Sequence, residues 1–525
     1  MKLNIGAQFI SPNRCRFRVW APLKTSVSVL LVSPVQRRIP MKKDADDYWE
    51  MTAENVQPGA RYLYEFDNGS AWPDPASRFQ SEGVHGPSEV VQPASFSWED
   101  SRWKGIPLRD LIMYEIHVGT FTQEGTFGSI IPQLDYLKEL GITAIELMPV
   151  AQFPGKRNWG YDGVYPYAVQ DSYGGPEGLK ALVNACHKKR IAVILDVVYN
   201  HLGPEGNYLG CYGPYFTDRY KTPWGDAVNF DGPLSDNVRD FFIQNALYWV
   251  TEYHIDALRI DAIHGIFDFS ANHFLQELAA VIHGQGDILG RKIHVIAESD
   301  LNDSRAIRPL NKGGYGLDAL WNDDFHHAVH TLITGERDGY YEDFGDLSHL
   351  EKAFREGFTY AGQYSSFRKR RHGNMSADRP VHQFVVFSQN HDQVGNRMKG
   401  DRLSQTQSLE KLKLTAGVVM LSPYLPLLFM GEEYGETAPF QYFISHADKN
   451  LIEAVRKGRR QEFSSFLWEG DIPDPQAEGT FLDSKINTGL RSSGYHRLLF
   501  AFYKELIKLR KELPALSLSD RKDLD

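Results

Sequence analysis

Cysteine is nearly absent: the chain of 525 residues has only Cys15, Cys186 and Cys211. Three scattered thiols exclude a disulfide framework and a structural zinc site, and they fit reduced side chains in a cytoplasmic protein. A positive charge excess is missing too. The formal net charge is −10, which argues against nucleic acid or an anionic membrane as partner, because phosphate recognition needs a basic face. A neutral, polyhydroxylated ligand needs no such steering. Long apolar runs are also lacking. The N-terminus reads Met-Lys-Leu-Asn-Ile-Gly-Ala-Gln, without the apolar segment of a signal peptide. The most apolar stretch, residues 417–431, is interrupted by Pro423 and Pro426 and is too short to span a bilayer. No membrane role is expected. Aromatic residues, by contrast, make up 13% of the chain, with 10 Trp and 26 Tyr. Some of these rings suit sugar faces, since Tyr and Trp combine a flat apolar body with a hydrogen-bonding tip.

The first hundred residues read as all-β. Short runs at 15–20, 27–31 and 62–66 are rich in Val, Tyr, Phe and Leu and are bounded by Pro, Gly, Asn and Asp. They predict an N-terminal β-sandwich, immunoglobulin-like, over residues 1–100. Prolines and glycines in 72–88 predict an extended connection. From about Leu111 strand-like runs alternate with amphipathic helical stretches. The runs fall at 112–117, 143–148, 191–198, 255–261, 293–297, 319–321, 383–387 and 425–430. Eight βα repeats predict a closed parallel barrel over residues 101–512. A doubly wound sheet is the rival, but no Gly-rich phosphate turn follows an early strand. The stretch 199–232 is long, polar and aromatic, as expected of a loop that builds a site at the C-terminal ends of barrel strands.

Side chains on a strand alternate faces, so Ala257, Arg259 and Asp261 point one way while Leu258 and Ile260 point the other. Arg259 would then sit inside the barrel and keep Asp261 ionised. Two more apolar strands end in acids: Val295-Ile296-Ala297 leads to Glu298, and Val385-Val386-Phe387 to Gln389-Asn390-His391-Asp392. Three carboxylates at the ends of the fourth, fifth and seventh strands converge if the barrel closes. Crowded acids separate into one proton donor and one base, the pair that glycoside cleavage needs.

Asp196-Val197-Val198-Tyr199-Asn200-His201, Ala257-Leu258-Arg259-Ile260-Asp261, Ala297-Glu298 and Asn390-His391-Asp392 resemble the four ordered motifs of the α-amylase superfamily, glycoside hydrolase family 13. The resemblance implies a retaining mechanism at an α-linkage, with Asp261 as nucleophile, Glu298 as general acid/base and Asp392 stabilising the transition state. It implies that His201 and His391 bind hydroxyls of the same sugar and that Arg259 holds Asp261. Asp196 and Asn200 belong to the same motif set. Asn158-Trp159-Gly160-Tyr161-Asp162 after the second strand would supply Tyr161 as platform under the sugar, with Asp162 nearby.

Longer stretches resemble one branch of that superfamily, the maltooligosyltrehalose trehalohydrolases. They include Asn200-His201-Leu202-Gly203-Pro204-Glu205-Gly206-Asn207-Tyr208-Leu209, Thr222-Pro223-Trp224-Gly225-Asp226, Trp321-Asn322-Asp323-Asp324-Phe325-His326-His327 and Gly431-Glu432-Glu433-Tyr434-Gly435-Glu436. This likeness implies cleavage of the α-1,4 bond beside a terminal trehalose unit, and functional coupling to a synthase that makes the trehalose-ended chain. Trp224, Asp226, Asp323, Asp324 and Phe325 are candidates for recognising the trehalose end. A glycogen branching enzyme and an inactive glucan-binding barrel are the alternatives. No cofactor and no metal ion are expected. The family usually carries a C-terminal β domain, which the short stretch 513–525 after the last helix does not provide.

Overall fold

Strand alternation builds the N-terminal region. In Arg14–Trp20 the residues Cys15, Phe17 and Val19 turn inward, and in Arg61–Phe66 Tyr62, Tyr64 and Phe66 do the same. The computed structural model describes residues 3–11, 13–92, 96–462 and 471–517, so the stretch 513–525 lies partly outside them. One antiparallel sheet joins Gly6–Ser11, Arg14–Trp20, Tyr48–Glu54 and Lys42–Lys43 in that order. The other joins Arg37–Pro40, Val27–Ser33, Arg61–Phe66 and Ala71–Trp72, with Ser88–Glu89 also paired to Arg61–Phe66. The sheets face each other: Phe17 of one meets Tyr62 of the other edge-on at 4.9 Å. The connection after them is tied to the barrel, because Trp72 stacks on Tyr208 at 4.5 Å and Tyr212 Oη donates to Pro73 O at 2.8 Å.

Eight parallel strands then close a barrel. They are β1 (Met113–Ile116), β2 (Ala144–Leu147), β3 (Ala192–Val197), β4 (Ala257–Ile260), β5 (His294–Ala297), β6 (Ala319–Trp321), β7 (Phe384–Val386) and β8 (Leu425–Phe429). β8 pairs with β1, which leaves no free edge and rules out the doubly wound sheet. Each strand matches an expected run but is up to two residues shorter at an end. Flanks such as Ile112 and His117 are buried without continuing the ladder. Met113, Ala144, Ile194, Ala257, Ile296, Trp321, Val385 and Leu427 fill the interior. Leu258 and Ile260 belong to the outer core under the helices, as the alternation at β4 requires. Helices Gly175–Lys188, Ser235–Glu252, Phe274–Leu289 and Gly494–Glu512 contribute to that outer layer.

The stretch 199–232 is more ordered than a loop. It contains a short helix, Leu209–Tyr212, and an antiparallel hairpin, Phe216–Thr222 with Gly225–Val228. Both faces of the hairpin are largely polar, so it carries no apolar alternation to read. Gly225 takes φ 116° at its turn, where a side chain would be strained. Among the described residues no helix is long and apolar enough to cross a membrane.

Candidate active site

The site is built around one guanidinium. Arg259, third residue of β4, is fully buried inside the barrel and lies 4.4 Å over the ring of Trp321 from β6. Its Nη1 donates to Asp196 Oδ2 and to Asp261 Oδ1, each at 2.8 Å, and its Nη2 lies 3.7 Å from Glu298 Oε2. Strand register explains the meeting: Asp196 on β3 is paired with Arg259, and Arg259 in turn with Ile296 on β5, two residues before Glu298. A charge placed there stays in place only if hydrogen bonds and opposite charges surround it.

Each acid has its own surroundings. Burial pushes Asp261 upward, but Arg259, His201 and a 2.7 Å hydrogen bond from Asn200 Nδ2 together hold it below its ordinary value. Glu298 is raised, because burial and the charge of Asp261 outweigh Arg259. Its Oε2 accepts from the amide of Ala262 at 2.6 Å. That amide is aimed by a left-handed residue, since Ala262 takes φ 38° immediately after Asp261. A non-glycine residue held there stores strain, a mark of functional turns. Asp196 is pushed to about 7, burial prevailing over Arg259.

Tyr161, His391 and Asp392 complete the floor. Tyr161 Oη donates to Asp196 Oδ2 at 2.6 Å and lies 2.7 Å from His391 Nε2, the two rings stacked at 5.2 Å. His391 Nε2 also lies 3.4 Å from Asp392 Oδ2. His201 Nε2 meets Tyr161 O at 3.0 Å, its Nδ1 meets Asn200 Oδ1, and burial lowers its proton affinity. Asp162 accepts from Asn158 Nδ2 at 2.6 Å and lies 3.7 Å from His446 Nε2.

Asp261, Glu298, Asp392, Arg259, His201, His391, Tyr161, Asp196 and Asn200 therefore share one connected cluster. Asp196 and Asn200 act on Arg259, Tyr161 and Asp261 rather than offering free atoms to a sugar. The candidates for the far end of the substrate divide. Trp224, at the tip of the hairpin and half-exposed, stacks on His201 at 3.9 Å with the planes 4° apart. Asp323, the first residue of helix Asp323–Thr334, is raised well above its ordinary value by burial and by the charges of Glu298, Asp300 and Asp392, so it faces the cleft.

Three candidates are not brought there. Asp226 is exposed on the hairpin and pairs with Lys221. Asp324 accepts from Asn302 Nδ2 at 2.8 Å and from the amide of Tyr360 at 2.7 Å, which uses it to fasten loops. Phe325 is fully buried against Phe354 and Tyr424. The sequence reading also passed over Glu115 on β1. It accepts the His391 amide at 2.9 Å and faces the His391 ring Nδ1. An acid inside the apolar run Met113-Tyr114-Glu115-Ile116 was the available signal.

The alpha amylase catalytic domain family matches residues 90–219, and the carbohydrate-binding module 48 family (isoamylase N-terminal domain) matches residues 4–81. The malto-oligosyltrehalose trehalohydrolase of Saccharolobus solfataricus is 50% identical over 94% of this chain and 85% of its own length. The enzyme of that name from Arthrobacter ramosus is 46% identical over 95% and 87%. A 1,4-alpha-glucan branching enzyme of Clostridium perfringens is only 27% identical over 90% and 76%. A solved structure from Salmonella typhimurium covers 99% of this chain and 88% of its own, at 43% identity and a TM-score of 0.92. Pullulanase from Anoxybacillus sp. LM18-11, at 22% identity and TM-score 0.74, covers 99% and 76% and shares the fold. With half its residues identical to one trehalohydrolase along nearly its whole length, the chain belongs to the malto-oligosyltrehalose trehalohydrolase family of α-amylase-type glycoside hydrolases.

Proposed function

We propose that the cluster around Arg259 hydrolyses the α-1,4 bond next to the terminal trehalose unit of a maltooligosyltrehalose, with retention. Asp261 attacks the anomeric carbon as the bond to the leaving oxygen breaks, and Glu298 gives its proton to that oxygen, so trehalose departs. Water then gives a proton to Glu298 and its oxygen to the anomeric carbon, which breaks the glycosyl ester and restores Asp261. Asp392 binds ring hydroxyls and strengthens those contacts as positive charge develops on the sugar. Tyr161 lies beneath the ring, and Trp224 and Asp323 reach the trehalose side. The substrate would come from a synthase that builds the trehalose end.

One observation carries the assignment: a single guanidinium touches both carboxyl groups, yet Asp261 is held low and Glu298 is raised. The opposite directions favour the anion at Asp261 and the proton at Glu298, as a nucleophile and an acid require. The two acids share one guanidinium, so the rate against pH should be bell-shaped with apparent values belonging to the pair. The test is a product assay on maltooligosyltrehalose and on a plain maltooligosaccharide of equal length. Trehalose released in preference is the expected result. Equal cleavage of both would make the enzyme an amylase, and new α-1,6 linkages would make it a branching enzyme.

A further inference from the structure

Two glutamates lie side by side inside the barrel, beneath the carboxylates described above. Glu115 on β1 is in register with Glu146 on β2, and both are buried. Their surroundings are opposite. Glu115 accepts twice from one residue: Oε2 takes the amide of His391 and Oε1 faces its ring Nδ1. Among the described residues both oxygens of Glu146 are buried without a hydrogen-bond partner. An ionised carboxylate with no donor is untenable in such a place, so Glu146 is a neutral acid.

The proton count around His391 follows from its neighbours. Nδ1 faces a carboxylate oxygen and donates to it. Tyr161 Oη has a single proton, and that proton goes to Asp196 Oδ2, which also accepts from Arg259. The remaining oxygen Oδ1, unpartnered among the described residues, would hold any proton that Asp196 takes up. Toward His391 the Tyr161 oxygen can therefore only accept, and Nε2 donates across 2.7 Å. Both ring nitrogens carry hydrogen.

We propose that Glu115 is a positioning residue that keeps His391 an imidazolium, and that this ring clasps Tyr161 and Asp392 in the places that the reaction needs. The inference rests on the proposed roles of those two residues. Every element around the ring contributes a charged or titratable group: Glu115 from β1, His117 after it, Glu146 from β2, Tyr161 after it, Asp196 from β3, Arg259 from β4 and Asp392 beside the ring itself. Burial and Arg259 oppose the ring's charge, while His117, pushed down to about 3 by burial, stays neutral beside it. Asp392 and Glu115 favour it and together raise His391 to about 9. Glu115→Gln removes one of the two and leaves an amide that can still accept from the backbone.

The experiment uses the full chain with ¹³C,¹⁵N-labelled histidine, with the His391 signal identified by its loss in His391→Gln. In the unsubstituted protein at pH 7 the ring should show two protonated nitrogens. In Glu115→Gln it should be neutral, with kcat lowered on the order of 10²-fold through misplaced groups and KM changed by no more than about threefold. Glu146→Gln, the same change one strand away, should leave both the signal and kcat as they were. A singly protonated His391 in the unsubstituted protein overturns the proposal, and this reading needs no variant to fold. Glu115→Gln with an unchanged signal, or Glu146→Gln reproducing the loss, also overturns it. The ring signal is recorded without substrate, so it stands whichever glucan the enzyme cleaves.

Discussion

The two ends of the barrel bury charge in contrasting ways. At the N-terminal end His187 is fully buried between two carboxylates, Asp100 at 2.7 Å and Asp256 at 2.9 Å. Asp100 also meets His254 at 2.7 Å, and Asp256 accepts from Trp103 Nε1 at 2.6 Å and from the amide of Val193 at 2.9 Å. Trp103 stacks on His187 and Trp98 on His254. The latch joins residues 98–103, which lead into the barrel, to the starts of β3 and β4. At the C-terminal end, by contrast, Asp196 Oδ1 and Arg259 Nε and Nη2 have no hydrogen-bond partner among the described residues, and Ala262 is held in a strained turn. Saturated networks fix a structure, whereas incompletely partnered buried charges shift the proton affinities of the acids beside them.

Substitutions at the two ends should therefore separate activity from stability. The largest effect is expected from Glu298→Gln or Asp261→Asn, which should reduce kcat by about 10³-fold or more while the thermal midpoint stays nearly unchanged. Near-normal turnover in either would remove the catalytic assignment. Asp256→Ala should do the reverse. It removes one of the two carboxyl groups on His187 and the acceptor of Trp103 and should cost about 3–5 kcal/mol of stability, read by denaturant unfolding, with kcat of the folded fraction unchanged.

The same latch should set a pH window for stability. His187 is raised above its ordinary value near 6.5 because Asp256 and Asp100 outweigh its burial. Its contribution is present in full below that ordinary value and is lost as pH rises through the raised one. Asp100 is lowered, since bonds from His187 and His254 prevail over burial. Its contribution is present above the ordinary value of 3.8 and fades as pH falls through the depressed one. Melting temperature measured against pH should be highest between these limits, and His187→Gln should flatten the alkaline fall. An unaltered profile in that variant would place the alkaline loss elsewhere. The smallest effect is expected from Trp224→Ala, which exposes His201 at the cleft. KM should rise by a factor equivalent to about 1 kcal/mol of lost stacking, with stability unaffected because the ring is half-exposed. An equal fall in melting temperature would make Trp224 a packing residue.

The helix after β6 shows how far local pattern reaches. Asn322 caps it by accepting from the Phe325 amide at 3.3 Å. Each residue then turns by about 100°. Asp323 consequently faces the cleft, Asp324 meets Asn302 and Tyr360, and Phe325 enters the core. Three adjacent residues with equal claims in sequence have three different fates. The reverse holds for β4, where the period of two by itself places Arg259 and Asp261 inside the barrel and Leu258 outside it.

By itself the sequence determined the succession of eight strands, the acids at the ends of β4, β5 and near β7, and the inward face of β4, because these depend on periodicities carried by neighbouring residues. Only the closed barrel decided that Glu115 grips His391, that Glu146 lies beside it without a partner among the described residues, that one guanidinium serves Asp196, Asp261 and Glu298, and that Asp324 fastens loops. Those facts join residues tens to hundreds of positions apart. Hydrogen bonding and charge depend on distances of a few ångströms, which register between strands sets and local pattern does not.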